Sequence, residues 1–153
     1  MRIASALLLA AGLMLSSVRS AIAQPSTMLS VNGTPASMII SSAVTGVGSM
    51  SVTDATTTYF VRVKNASGNG TISAQLSAPM PLGTTLSLTM TPSFGATSLG
   101  PVDLSTVSQA VVTNIQKENG STLAMTYVFA ATAAAGVVPT QSRTVTFTLV
   151  AVP

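Results

Sequence analysis

The 153-residue sequence contains no cysteine, no histidine and no tryptophan. Without cysteine the chain cannot form the disulfides that often stabilise small exported domains, so packing alone must hold it together. Without histidine or cysteine it cannot build the usual catalytic triads, a thiol nucleophile, or an imidazole or thiolate metal site. These absences exclude several large classes of enzyme and metalloprotein.

Charged side chains are also scarce, at 6% of the chain, against about 25% in an ordinary soluble domain. Beyond position 23, four cationic side chains stand against three acidic ones, which leaves a net charge of +1. So small and scattered a charge gives no electrostatic basis for binding nucleic acid or an anionic membrane. The acidic residues Asp54, Asp103 and Glu118 have simple interpretations as turn formers or caps. We therefore predict no catalytic pair, no metal site, no cofactor and no enzymatic activity.

The first 23 residues have the three parts of a secretory signal peptide. Arg2 supplies the positive start, residues 3–15 are apolar, and the small residues Ala21 and Ala23 suit signal peptidase. The apolar run is shorter than the roughly 20 residues that span a bilayer, and no second run follows. We predict cleavage before Gln24 and an exported mature chain without a membrane span, in the periplasm, at the cell surface or outside the cell. The alternative is an uncleaved N-terminal anchor.

Apolar and polar residues alternate along much of the remaining chain, which is the pattern of antiparallel strands with one buried face. The segments with this pattern are 50–53, 58–64, 71–77, 85–91, 123–129 and 145–149. Met38–Ile40 is a shorter apolar run that predicts an early strand. Residues 105–115 are ambiguous, because Thr106 and Gln109 have the spacing of a helix capping box while the β-branched residues favour a strand. In this β-rich context we predict a strand or an irregular edge.

The breaks between these segments have the composition of turns. Hairpin turns are predicted at Asn69-Gly70 and at Lys117-Glu118-Asn119-Gly120, because Asn-Gly tolerates positive φ, and Asn32-Gly33 predicts a third turn. Pro79–Gly83 and Pro92–Pro101 predict loops. About seven to nine short strands with frequent turns predict an all-β, antiparallel sandwich. The predicted organisation is a signal peptide at 1–23, a flexible segment or edge strand at 24–36, and a sandwich domain at 37–153.

The last third of that domain has a recognisable order of segments. The strand STLAMTYVFA, which begins at Ser121, leads through an Ala/Gly stretch to the strand TVTFTLV, which ends at Val150. This order resembles the C-terminal end of bacterial secreted immunoglobulin-like modules, including the group of spore coat protein U and the archaic chaperone–usher pilins. The resemblance implies an immunoglobulin-like sandwich and a surface or fimbrial subunit assembled by strand donation. The implied donor segment runs from Ser26 through Met28 to Val31.

Export, low charge and abundant hydroxyl groups favour a structural role. Serine and threonine make up about three in ten residues beyond position 23, and a surface with so little charge does not keep copies of a protein apart. We predict a secreted structural or surface protein that associates with itself or with another cell-surface protein. The alternative is a monomeric extracellular binding module for a glycan or another polymer. Phe60 and Phe94 would then be its exposed contact rings.

Overall fold

The computed structural model describes residues 26–41, 48–64 and 69–151. The predicted signal peptide and the cleavage site before Gln24 lie outside these residues. The described chain is all-β, with ten strands and, as its only helical element, a short 3-10 turn at Ala133–Ala135. The strands are β1 Thr27–Asn32, β2 Ser49–Asp54, β3 Thr58–Val63, β4 Gly70–Leu76, β5 Thr84–Met90, β6 Thr97–Ser98, β7 Val102–Asp103, β8 Gln109–Ile115, β9 Glu118–Thr132 and β10 Val145–Val150.

The strands form two antiparallel sheets. The larger sheet has the order β1-β3-β9-β5-β7, and the smaller has the order β10-β4-β8-β6. The long strand β9 pairs with β3 along its first half and with β2 along its second half, so β2 and β3 follow one another along the same side of β9. The sheets lie on opposite sides of one hydrophobic core, which is a sandwich-like arrangement.

Inward-facing side chains of both sheets form that core. The alternation predicted for residues 58–64, 71–77 and 85–91 is confirmed in β3, β4 and β5, where every second side chain is buried. Period-two alternation produces this result because successive side chains of a strand point to opposite faces of the sheet. The buried apolar residues are Tyr59, Val61, Val63, Ile72, Ala74, Leu76, Leu86, Leu88, Met90, Leu104, Val111, Val112, Ile115, Met125 and Tyr127.

Residues 105–115 divide into two parts. The strand that we predicted is present as β8 from Gln109 onward. The preceding residues are irregular, and Ser105 Oγ accepts a hydrogen bond from the backbone N–H of Val107 at 3.1 Å. A serine side chain that bonds two residues ahead competes with regular structure, which explains why neither helix nor strand forms there.

The strand predicted at Met38–Ile40 is wrong. These residues lie in the irregular connection between β1 and β2, with Met38 packed against the core and Ile39 exposed. A run of three apolar residues cannot distinguish a strand from a loop that covers the end of a core.

The hairpin turn predicted at Asn119-Gly120 is also wrong, because both residues lie inside β9. The chain crosses between sheets just before β9, since β8 belongs to the smaller sheet and β9 to the larger one. Gly120 has φ +129° at the point where the pairing of β3 with β9 shifts register. Asn69 has φ +70°, as its Asn-Gly pair suggests, but it too precedes a strand of the opposite sheet. Asn-Gly therefore marks positive φ, and does not reveal which strands pair.

Candidate functional site

The strands β1 and β10 form one side of the molecule, and each is the outermost strand of its sheet. β1 pairs on its inner side with β3, and β10 pairs on its inner side with β4. No strand of the described chain pairs with the outer side of either. Unpaired edges of this kind present free backbone N–H and C=O groups to any extended segment that approaches them.

A groove of about 460 Å³ runs between these two edge strands. One wall consists of residues 27–31 of β1, and the other of Val145, Phe147 and Leu149 from β10. The three β10 side chains are half-buried and pack against the core, so they reach from the core to the groove. The groove is therefore an opening between the sheets, and its walls combine these apolar side chains with the hydroxyl groups of Thr27 and Ser30.

The sequence places apolar side chains on both faces of β1. Leu29 packs against the core, while Met28 is 39% exposed and Val31 is 40% exposed. Pairing with β3 sets the register, with Met28 opposite Arg62 and Val31 opposite Tyr59. The backbone N–H of Lys64 also donates to the carbonyl oxygen of Ser26 at 2.8 Å, which extends the pairing by one residue.

Among the described residues that line this groove, none carries a charged side chain. In β10, Thr146 and Thr148 point away from the core to solvent, while their neighbours face inward. An incoming segment would thus meet apolar side chains and backbone hydrogen-bonding groups, and its own charge would find no partner in the walls. This chemistry suits an extended, uncharged segment of protein.

The comparisons with other proteins supply no relative. No family model, curated protein or solved structure matches this chain. The described residues contain no helix that is both long and apolar enough to cross a membrane. Function must therefore be inferred from the groove and from the chemistry of its residues.

The three predicted donor residues lie together along the groove edge. Ser26, Met28 and Val31 belong to β1 or immediately precede it, and the strand is paired with β3 of its own chain. The alternation along residues 145–149 predicts one buried face for Val145, Phe147 and Leu149, but it carries no signal for the groove or for the missing neighbour of β10.

The two predicted ligand contacts occupy different environments. Phe94 is 97% exposed at the tip of the loop after β5, in a turn where the N–H of Ala96 donates to the carbonyl of Ser93. Phe60 is half-buried and lies against Gly120, where an added Cβ would come within 2.9 Å of the Phe60 ring. Phe60 therefore covers a glycine of the neighbouring strand, and only Phe94 presents a free ring.

Each acidic residue has a partner within the fold. Asp54 is buried and accepts hydrogen bonds from the backbone N–H groups of Ala36 and Thr56, both at 3.1 Å. These bonds hold the pKa of the Asp54 carboxyl below its usual range, with the bond from Ala36 the largest cause. Asp103 accepts a bond from Ser87, and Glu118 accepts one from the N–H of Gly120. No three acidic residues of the described chain lie close enough together to hold a metal ion.

Proposed function

We propose that this chain is an exported structural subunit of the cell surface that associates with copies of itself through the groove between β1 and β10. The observation that carries the proposal is the pair of six-residue edges without an outer partner in the described chain, which flank a groove with no charged side chain among its described lining residues. The resemblance to immunoglobulin-like pilin and coat subunits supports the same function. The signal-like first 23 residues support export.

Strand addition is the mode of association that these edges favour. An extended segment of a second copy would form backbone hydrogen bonds with β1 or β10 and place its side chains over the groove. Val31 is 40% exposed, so burial of its remaining surface on association contributes about 1 kcal/mol, less than the roughly 1.5 to 3 kcal/mol of a fully exposed side chain. The backbone bonds supply alignment, and the apolar side chains supply most of the free energy.

A matched pair of substitutions tests the use of this edge. Val31→Lys places a charge at the groove, whereas Val107→Lys makes the same change in the loop between β7 and β8, at a residue that is 68% exposed. We expect Val31→Lys to weaken self-association by about tenfold or more, because the lysine would be desolvated or would block the strand. We expect Val107→Lys to leave it unchanged.

The measurement is light scattering coupled to size exclusion, over a range of concentrations, on the exported product of the full-length gene. Thermal unfolding of both variants serves as the control for folding. If the wild-type product stays monomeric at every concentration when it is measured alone, self-association is refuted. Equal effects of the two substitutions would refute the groove as its site.

The donor segment itself can be tested with a disulfide, because the chain has no cysteine of its own. Met28 and Arg62 are directly opposite in the β1–β3 pairing, so Met28→Cys with Arg62→Cys would lock β1 to its own sheet. Loss of association on oxidation, with recovery on reduction, indicates that β1 is exchanged between copies. Association that persists after oxidation indicates that β1 stays in place and a different segment enters the groove.

The second candidate function is a monomeric binding module for a glycan, and the observation that favours it is the free ring of Phe94. Aromatic faces at loop tips can pack on the apolar faces of sugars. Phe94→Ala would then reduce retention on the polysaccharide that binds the wild-type protein, while Leu82→Ala, at another exposed loop residue, would not. Binding that survives Phe94→Ala counts against this site.

A further inference from the structure

A second and larger cavity, of about 1080 Å³, lies where β5 begins and β9 ends. Inward-facing side chains of the larger sheet line it, including Met50, Leu86 and Phe129, and Val145 of the smaller sheet reaches it as well. The connections at 34–41 and 136–143 border it. Its volume is slightly above the roughly 300 to 1,000 Å³ of typical small-molecule sites.

The side chains around this cavity are mostly apolar, and they come from strands and loops alike. Met38 and Met80 contribute flexible thioether side chains from two different connections. Such side chains adapt to the shape of an apolar ligand more readily than branched ones do. A cavity of this size with apolar walls favours a ligand with a long hydrocarbon body.

Arg143 is the only charged residue among the described residues that line the cavity. Its Nε and Nη2 donate to the carbonyl oxygen of Pro79 at 3.1 and 3.0 Å, and its Nη1 donates to the carbonyl of Ser142 at 3.0 Å. Nη2 also donates to the side chain of Gln141. Every partner is neutral, so this half-buried cation has no carboxylate to balance it within the described chain.

Those bonds also hold the guanidinium in place. An arginine has five N–H groups, and the four bonds leave the second N–H of Nη1 with no acceptor among the described residues. A fixed, uncompensated guanidinium at an apolar cavity is suited to bind an anion, and its one remaining N–H can donate a charge-assisted hydrogen bond to a carboxylate oxygen.

We propose that the cavity binds a long-chain fatty acid, with the acyl chain among the apolar side chains and the carboxylate at Arg143. The charge selects an anionic headgroup, and the apolar walls select an unbranched hydrocarbon tail. The site is distinct from the groove between β1 and β10, and of the described residues Val145 alone lines both.

The test compares two probes that share a tail and differ in charge. Calorimetric titration of the full chain's exported product uses dodecanoate and dodecanol, both below the concentrations at which they aggregate. We expect dodecanoate to bind more tightly than dodecanol. Arg143→Gln should lower the affinity for dodecanoate by about tenfold or more, because a charge-assisted hydrogen bond is lost. The same substitution should leave the affinity for dodecanol unchanged. Lys117→Gln, which removes an exposed charge elsewhere, should change neither affinity.

A second variant covers the case in which Arg143→Gln disturbs the fold. Met38→Trp introduces the only tryptophan of the chain into the wall of the cavity. We expect its fluorescence to shift when dodecanoate is added and not when acetate is added. No binding of dodecanoate in either assay would overturn the proposal, and equal affinities for dodecanoate and dodecanol would overturn the role of Arg143. The Val31→Lys variant should bind dodecanoate normally, which separates this test from the test of self-association.

Discussion

The edge strands of the two sheets differ between the two sides of the molecule. On the side of β1 and β10, which we call the open side, these two edge strands are six residues long and no described strand covers them, and β2, also six residues long, pairs only with β9. On the side of β6 and β7, the closed side, each edge strand has only two residues. There the chain passes directly from the smaller sheet to the larger through residues 99–101.

Short edges and a crossing chain protect the closed side. The N–H of Leu99 donates to the carbonyl of Val111 at 2.9 Å, and the N–H of Leu104 donates to the carbonyl of Leu86 at 2.8 Å. Asp103 adds a charge to this edge, and short charged edges discourage strand addition. Because the fold protects one side in this way, the long uncharged edges of the other side are a specific feature, and they fit a role in association.

The largest effect that we expect from a single substitution is a loss of stability at the groove, and a substitution on the closed side serves as the comparison. Phe147→Ala removes a half-buried ring that packs against the core, and should lower the free energy of unfolding by about 2 to 3 kcal/mol. Val102→Ala on β7 removes less apolar surface and should cost about 1 kcal/mol or less. Urea denaturation of the two variants measures the difference. Equal losses would mean that the groove wall is ordinary surface.

Alkaline titration tests how well the open side excludes water from the core. Tyr59 lies under β1, opposite Val31, and Tyr127 lies in the central strand β9. Burial, the largest cause, raises the pKa of each tyrosine to about 12, whereas tyrosine in the unfolded chain ionises near pH 10. The resulting stability is complete below about pH 10 and is lost as the pH rises towards 12, by roughly 2 kcal/mol per tyrosine.

Tyrosinate absorbance and circular dichroism should therefore change together above about pH 10, because ionisation requires unfolding. Tyr127→Phe isolates the signal of Tyr59. If Tyr59 ionises near its ordinary pKa while the chain stays folded, water reaches the core through the open side, and the groove is deeper than the described edge indicates.

The sequence predicts the strands of the core far better than it predicts the edges. Tyr59, Ile72 and Leu88 can be assigned to buried faces because each belongs to a run with strict alternation, and burial follows from that alternation alone. The failures at Met38–Ile40 and at Asn119-Gly120 have different causes. Three apolar residues indicate burial but do not distinguish a strand from a loop. Asn-Gly indicates positive φ, whereas the pairing partner depends on segments distant in sequence.

The same limit applies to the candidate site. Ser26 to Val31 could be marked as a candidate donor, but nothing in that segment reveals that it pairs with β3 or that β10 lies across a groove. The role of Arg143 was likewise not predictable, because its neutral partners come from a loop more than sixty residues away and from its own neighbours. Edges and cavities arise from the arrangement of strands, which the alternation does not encode.

A smaller effect on stability is expected when an aspartate on each side is replaced by asparagine. Asp54 of β2 is buried and holds the connection that follows β1, whereas Asp103 of β7 is exposed and accepts one bond from Ser87. The pKa of Asp54 is lowered, so its contribution to stability is present above about pH 4 and is lost as the pH falls through the lowered value. Asp54→Asn should lower stability at neutral pH and flatten its decline in acid, more than Asp103→Asn does. Thermal unfolding between neutral and acid pH measures both, and identical profiles would contradict the difference.

The smallest effect on the free energy of unfolding is expected at Thr57. This residue lies on the open side, between β2 and β3, where the strand that pairs with β9 changes from one to the other. Thr57 is fully buried, and its hydroxyl oxygen has no hydrogen-bond partner among the described residues, although its carbonyl accepts the N–H of Met125 at 3.2 Å. Thr57→Val keeps the shape and removes the unpaired hydroxyl, so the free energy of unfolding should rise by about 1 kcal/mol. Thr57→Ser keeps the hydroxyl but loses a methyl group, so the free energy of unfolding should fall by about 1 kcal/mol. A loss of stability in Thr57→Val would show that a buried water satisfies the hydroxyl, and that the open side admits water at this junction.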